Sequence, residues 1–261
     1  MSEEFKDVIT SHLRKDVLLN LLKKGERYDQ RKFDEFRPIE IQKGPIKNAE
    51  GSAFVKLGNT QVLAAVKFDV VTPYADRPNE GTLVTGAELL PLANSSFEPG
   101  PPDENSIELA RVVDRGIRSS ECIDVKSLFI EQGKVLSLYI DLYVIDYSGN
   151  YTDASSIAAI AALTDAKMPK VEDGKIIRKE FTGKLELSSL PVTVTSVKID
   201  SYWLADPTIE EELALDSKLT IATTDKHVCA VQKSIGGLSK REFLDNMELS
   251  FRLGNEIRKL L

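Results

Sequence analysis

The sequence predicts an α+β domain built from two similar halves, on three observations. Apolar residues alternate with period two over long stretches of both halves. Each set of alternating segments is followed by a helical pattern, so the order is strands then helices, twice. The apolar share is 42% of 261 residues, enough for a large buried core.

Taken in order, residues 5 to 24 carry Val8, Ile9, Leu13, Val17, Leu18, Leu21 and Leu22 at helical spacing, and Gly25 supplies a stop. Residues 1–24 are therefore read as an N-terminal helix. Residues 25–261 form the domain, with a first half of about 25–170 and a second of about 171–261. Tyr28-Asp29-Gln30-Arg31 reads as a polar linker. From Arg37 to Thr72 the alternation of Ile39, Ile41, Ala53, Val55, Leu57, Val62, Ala64 and Val66 predicts an antiparallel meander, with Gly51 and Gly58-Asn59 as its turns. Gly81 to Asn94 is extended and runs into the rigid loop Phe97–Pro102. Asp103 to Ser106 offer caps for a helix reaching about Ser119. Val135 to Asp146 is a strand, and Thr152 or Asp153 caps an alanine-rich helix from Ala154 to Lys167. Strands follow at about 174–181, 184–187, 192–204, 218–223 and 227–232, before a last helix from Ser239 to Leu261.

Composition excludes several function classes. Cys122 and Cys229 lie far apart without CxxC spacing, so neither a zinc site nor a disulfide framework is expected, and both read as small buried hydrophobes. No apolar run approaches a membrane span, and Met1 to Lys15 lack a secretion signal, so a cytoplasmic protein is expected. The net charge of −7 means that nucleic acid would have to be held by a local cationic cluster. GxSxG, P-loop and HExxH signatures are absent, and His12 and His227 fall in different halves, His227 in a hairpin turn.

The segment Ile107 to Arg118 is the most informative. At about 100° per residue, Arg115 lies about 40° and Arg118 about −20° from Arg111, so the three share one narrow face. Leu109, Ala110, Val112, Val113, Gly116 and Ile117 fill the opposite arc. Guanidinium forks suit phosphate oxygens. Glu108 and Asp114 flank the row and could equally absorb it as surface ion pairs. Asp200 and Asp206 could converge at one end of a sheet as an acid–base or metal-holding pair, or Asp206-Pro207-Thr208 could simply open a turn.

These residues also carry a resemblance. Gly51–Ala64 looks like the first hairpin of the RNase PH family. Glu88–Ala93, Phe97–Asn105 and Glu108–Arg118 resemble one branch of it, the non-catalytic ring subunit of the archaeal exosome. The likeness runs from about Gly25 to the C-terminus and implies the RNase PH fold of two βαβα-type halves. Active members shorten RNA from its 3′ end with inorganic phosphate, held by an arginine-bearing turn before the alanine-rich helix. Here that stretch is Ser148-Gly149-Asn150-Tyr151-Thr152-Asp153, and Tyr151 stands in the arginine's place. The resemblance therefore implies a chain with no catalytic residues, metal or cofactor of its own. It implies pairing with a catalytic RNase PH-type subunit, three such pairs in a hexameric ring, RNA-binding cap proteins, and contact with single-stranded RNA through Arg111 and Arg115. Asp200 and Asp206 match the active members' aspartates in spacing. They keep open the alternative of an active phosphate-dependent 3′-to-5′ exoribonuclease; a ring scaffold that touches no RNA is the other.

Overall fold

The computed structural model of the chain describes residues 15–261. Residues 15–22 are helical (α1); the remainder of the expected N-terminal helix, with His12, lies outside the described residues. A meander follows: β1 (Ile39–Lys43), β2 (Gly51–Leu57) and β3 (Thr60–Val71), paired antiparallel. Then come β4 (Thr82–Leu89), α2 (Glu104–Ser119), a 3-10 turn at Val125–Leu128, β5 (Phe129–Glu131), β6 (Lys134–Asp146) and α3 (Tyr151–Asp165). The second half holds the hairpin β7 (Lys167–Glu172) and β8 (Lys175–Lys184). It continues with β9 (Val192–Ile199), β10 (Tyr202–Ala205), α4 (Ile209–Ala214), β11 (Ser217–Thr223), β12 (Val228–Ile235) and α5 (Lys240–Arg258).

The first sheet runs β1-β2-β3-β6-β4, with β5 against β6. Its one parallel pair, β4 with β6, is the pair joined through α2, because parallel neighbours need a crossover connection. The second sheet, β10-β9-β11-β12, is antiparallel throughout. Between the sheets lies α3, against β2 and β3 on one side and β9 on the other. All residues from Thr152 to Leu163 are buried, so this helix is enclosed all round rather than on one stripe. Its alanines and serines let two sheets approach one axis.

Several sequence expectations need correction. Gly51 is not a turn residue: it begins β2 directly under α3, where a Cβ would sit 2.4 Å from the Ala162 carbonyl oxygen and 2.6 Å from the Ala166 Cα. The α3 cap is Asn150, two residues before the expected Thr152; its side chain accepts from the Asp153 N–H. Lys167 is not the tail of α3 but the start of β7, and 192–204 is a hairpin of two strands. Residues 184–187 add no separate strand; β8 continues to Lys184. Cys122 is buried as expected, whereas Cys229 is half-exposed on β12.

Gly51→Ala is expected to destabilise the fold by about 1–3 kcal/mol through overpacking against α3. Urea unfolding measures it; an unchanged midpoint would show that α3 does not press on β2 as described.

Candidate functional site

The site is built on α2. Asp103 caps it by accepting from the Ser106 N–H at 2.8 Å. Leu109, Val112, Val113, Gly116 and Ile117 are buried, and the helix lies against β4 of the first sheet and β12 of the second. The outward face carries Arg111, Arg115 and Arg118, all exposed, as the spacing predicts.

The structure separates the three. Arg118 is held by Asp114 at 2.9 and 3.1 Å and donates to the Leu83 carbonyl at 3.0 Å. Arg115 donates to Gln232 on β12 at 2.5 Å and to the Arg111 carbonyl at 3.3 Å. Arg111 has no hydrogen bond or ion pair from its guanidinium among the described residues. Glu108 does not pair with it, because its carboxylate accepts from Gln232 at 3.0 Å and Ser234 at 2.6 Å. Only half of the expected ion-pair network therefore exists. Arg111 presents an uncompensated charge, and Arg115 keeps donors to spare beside two neutral partners. Gln232 and Ser234 were invisible in the sequence: only tertiary contact brings β12 beside α2.

Close by, the turn before α3 is occupied by the protein's own groups. Asn150 sits in the left-handed region (φ 54°), and Gly149 (φ 94°) passes so near α4 that a Cβ would meet the Pro207 carbonyl oxygen at 2.5 Å. The Asn150 N–H donates to Glu212 at 3.2 Å, Tyr147 donates to the same carboxylate oxygen at 2.7 Å, and Lys218 pairs with Glu212 at 2.7 Å. A helix N-terminus attracts an anion; here the anion is the side chain of Glu212. The Tyr151 ring lies 5.3 Å from Tyr147, with the Lys218 ammonium 5.8 Å from its centroid. Burial pushes the Tyr151 phenol up to about 12, against the pull of Lys218, so it is neutral at physiological pH.

Asp200 and Asp206 do not converge. They sit at opposite ends of β10, Asp200 exposed in the turn and Asp206 fully buried. Asp206 accepts from the Arg37 N–H at 2.9 Å and the Arg37 side chain at 2.9 and 2.7 Å, from Arg31 at 3.0 Å and from Asn150 at 2.8 Å. Burial disfavours its charge, but the hydrogen bonds and charge of Arg37, with the charge of Arg31, more than offset this and hold the carboxyl below its ordinary value. The expected polar linker is exposed at Tyr28, Asp29 and Gln30, and only Arg31 turns inward to Asp206. Arg27 beside it is 2% exposed and bonds Glu211 through two nitrogens at 2.9 and 2.6 Å. Asp153, also buried, accepts from Thr193, Thr195 and Asn150. His227 is exposed in the β11–β12 turn.

The model of the 3′ exoribonuclease family, domain 1, matches residues 35–169, and that of domain 2 matches residues 189–252. The chain belongs to the 3′ exoribonuclease family. It is 47% identical over 260 residues to the exosome complex component Rrp42 of Pyrococcus abyssi, covering 97% of this chain and 95% of that one. The same component of Methanopyrus kandleri is 45% identical over 257 residues, covering 96% of each. A solved Archaeoglobus fulgidus exosome with RNA bound to the active site contains a chain of TM-score 0.88 and 44% identity, covering 96% of this chain and 98% of that one. An archaeal exosome core contains another of TM-score 0.85 and 42% identity, covering 97% and 98%. Rice Rrp46, at TM-score 0.68 and 20% identity over 90% of this chain and all of that one, shares the fold. The RNase PH fold expected from the hairpin and helix motifs is the fold observed.

Asp206→Asn is expected to cost about 3 kcal/mol or more, because it leaves Arg37 buried without its counter-charge and Arg31 with Asp29 alone. Since the folded carboxyl lies below its ordinary value of about 3.9, its contribution is fully present above that pH and is lost as pH falls through the lowered value. Denaturation curves between neutral pH and about pH 2 should therefore show a shallower acid limb in the variant. Equal stability of the two proteins would contradict the clamp.

Proposed function

We propose that this chain is the non-catalytic ring subunit of an archaeal exosome acting in 3′-to-5′ RNA degradation. It pairs with a catalytic RNase PH-type subunit, and three pairs close a hexameric ring in the cytoplasm that carries RNA-binding cap proteins. Its near full-length similarity to exosome component Rrp42 supports the assignment. No helix among the described residues is long and apolar enough to cross a membrane.

The observation that carries the non-catalytic reading is the content of the turn before α3. A phosphate nucleophile there needs a cation and open N–H donors. The turn offers a neutral phenol at Tyr151, and its Asn150 N–H already faces the Glu212 carboxylate. A second anion would be repelled. Asp206 cannot serve as acid or base while Arg37, Arg31 and Asn150 occupy both its oxygens.

The role toward RNA falls to Arg111 and Arg115. Phosphate contacts position a strand without reading its sequence, which suits a processive degrader. Arg111 is available at once, and Arg115 can exchange the Gln232 amide for a phosphate oxygen. Such a row acts for a neighbour's active site, since the chain's own turn is filled.

Phosphate-dependent shortening of oligo(A) tests the assignment in three arms: this chain, the catalytic partner, and both together. Activity is expected only from the combination at full rate; shortening by this chain alone, or full rate from the partner alone, overturns it. In the reconstituted ring, Arg111→Glu with Arg115→Glu is expected to weaken oligo(A) binding about tenfold or more and to flatten its salt dependence. Arg118→Ala should change little, because Asp114 and the Leu83 carbonyl already hold that side chain. Undiminished binding in the double variant would leave the scaffold reading.

A further inference from the structure

A wide concavity lies away from α2. It is a groove of about 1260 Å³ between the helix-free face of β3 and β6 and the overhanging β7–β8 hairpin. Six of its lining side chains are cationic and two acidic, on a chain of net charge −7. Lys67 is matched by Glu50 at 2.8 Å and Lys134 by Glu131 at 2.7 Å. Lys47, Lys175, Arg178 and Lys179 are exposed and have no acidic partner among the described residues.

The hairpin is deformed where these cations emerge. Ile177 pairs with Lys170, but Phe181 pairs with the next residue back, Pro169, so Arg178, Lys179 and Glu180 face no partner. Pro169 has no N–H to give the ladder, which explains why the bulge forms there. Lys179 adopts φ 68°, an uncommon left-handed conformation for a lysine. Glu180 is drawn to Lys170 at 3.0 Å, and Arg178 and Lys179 line the groove. Phe181 is 42% exposed beside them, and Tyr139 lies on the floor opposite Lys67 in the β3–β6 register.

We infer that this groove is a second binding site for the phosphodiester backbone of single-stranded RNA, formed by Lys47, Lys175, Arg178 and Lys179 with Phe181 as a stacking surface. A cationic groove with accessible aromatic rings is the arrangement that holds single strands without sequence preference. The site rests on the reading of the chain as an RNA-degrading ring subunit. It would hold a length of strand remote from the 3′ end that the α2 arginines serve, adding affinity by linkage of two contacts on one ligand.

The test uses the full chain and fluorescent oligo(A), with anisotropy measured across a range of salt. Lys175→Glu, Arg178→Glu and Lys179→Glu are combined, alone and with Arg111→Glu and Arg115→Glu. The groove variant is expected to bind about tenfold or more weakly, with the slope of log affinity on log salt reduced by about 2, in both backgrounds. The Gln counterparts at the same three positions should fall in the same direction, and they replace the Glu set if its melting temperature drops. Wild-type affinity and slope in the groove variants overturn the inference, whatever the α2 arginines do. Loss in the groove variants with no loss in the α2 variant upholds the groove and removes the α2 site. An acidic peptide that binds the groove more tightly than oligo(A) does would assign it to a protein partner and overturn the RNA reading.

Discussion

The carboxylate of Asp206 is the fixed point of this structure. It is fully buried at the end of β10, in a left-handed backbone position, and accepts five hydrogen bonds from Arg31, Arg37 and Asn150. Burying a charge is costly unless it is paired and its lone pairs are filled, and here both conditions hold. The donors come from two separate parts of the chain: Arg31 and Arg37 from the segment between α1 and β1, and Asn150 from the cap of the helix between the sheets. Arg37 also donates to the Ser148 and Gly149 carbonyls at 2.8 and 3.0 Å. One acid from the second half thus sets the turn that starts α3 in the first.

What that turn can do follows. With Asn150 bound to Asp206 and Asp153, and its N–H facing Glu212, the N-terminus of α3 has its negative charge supplied from within. Where the resemblance places the family's phosphate turn, these contacts form an internal fastening. The arginines of α2 are affected oppositely, because the packing that buries its apolar face brings up β12. Gln232 and Ser234 then draw Glu108 away from Arg111. Three arginines of one helix face end in three states: one bound to an acid, one to an amide, one available.

The elements that alternate or repeat cleanly were legible in the sequence. β2, β3, β6, α2 and α5 follow from period and caps, because one face of each meets the core and the other does not. The arginine face of α2 was legible for the same reason. α3 was misplaced at both ends: a helix buried all round carries no amphipathic edge, and its cap is an asparagine in a left-handed conformation. β7 was missed, its first residue Lys167 being read as the end of that helix, because Lys167–Glu172 follows without a break. Gly51 looked like punctuation, whereas its smallness answers to a helix distant in sequence. The sequence carried no sign that Arg27, Arg31 and Arg37 are clamped by acids, because their partners Glu211 and Asp206 are more than 160 residues away. Charge pairing over such a separation leaves no local pattern. The departure at Tyr151 was legible only beside a family motif.

The claim that the turn holds protein groups in place of phosphate is open to direct observation. Backbone amide signals of Gly149, Asn150 and Tyr151 can be followed by NMR while inorganic phosphate is titrated into the purified chain at constant ionic strength. The account predicts that these signals stay where they are while phosphate rises into the millimolar range. A saturable shift confined to these three residues would mean that the turn still binds its nucleophile, and would contradict it.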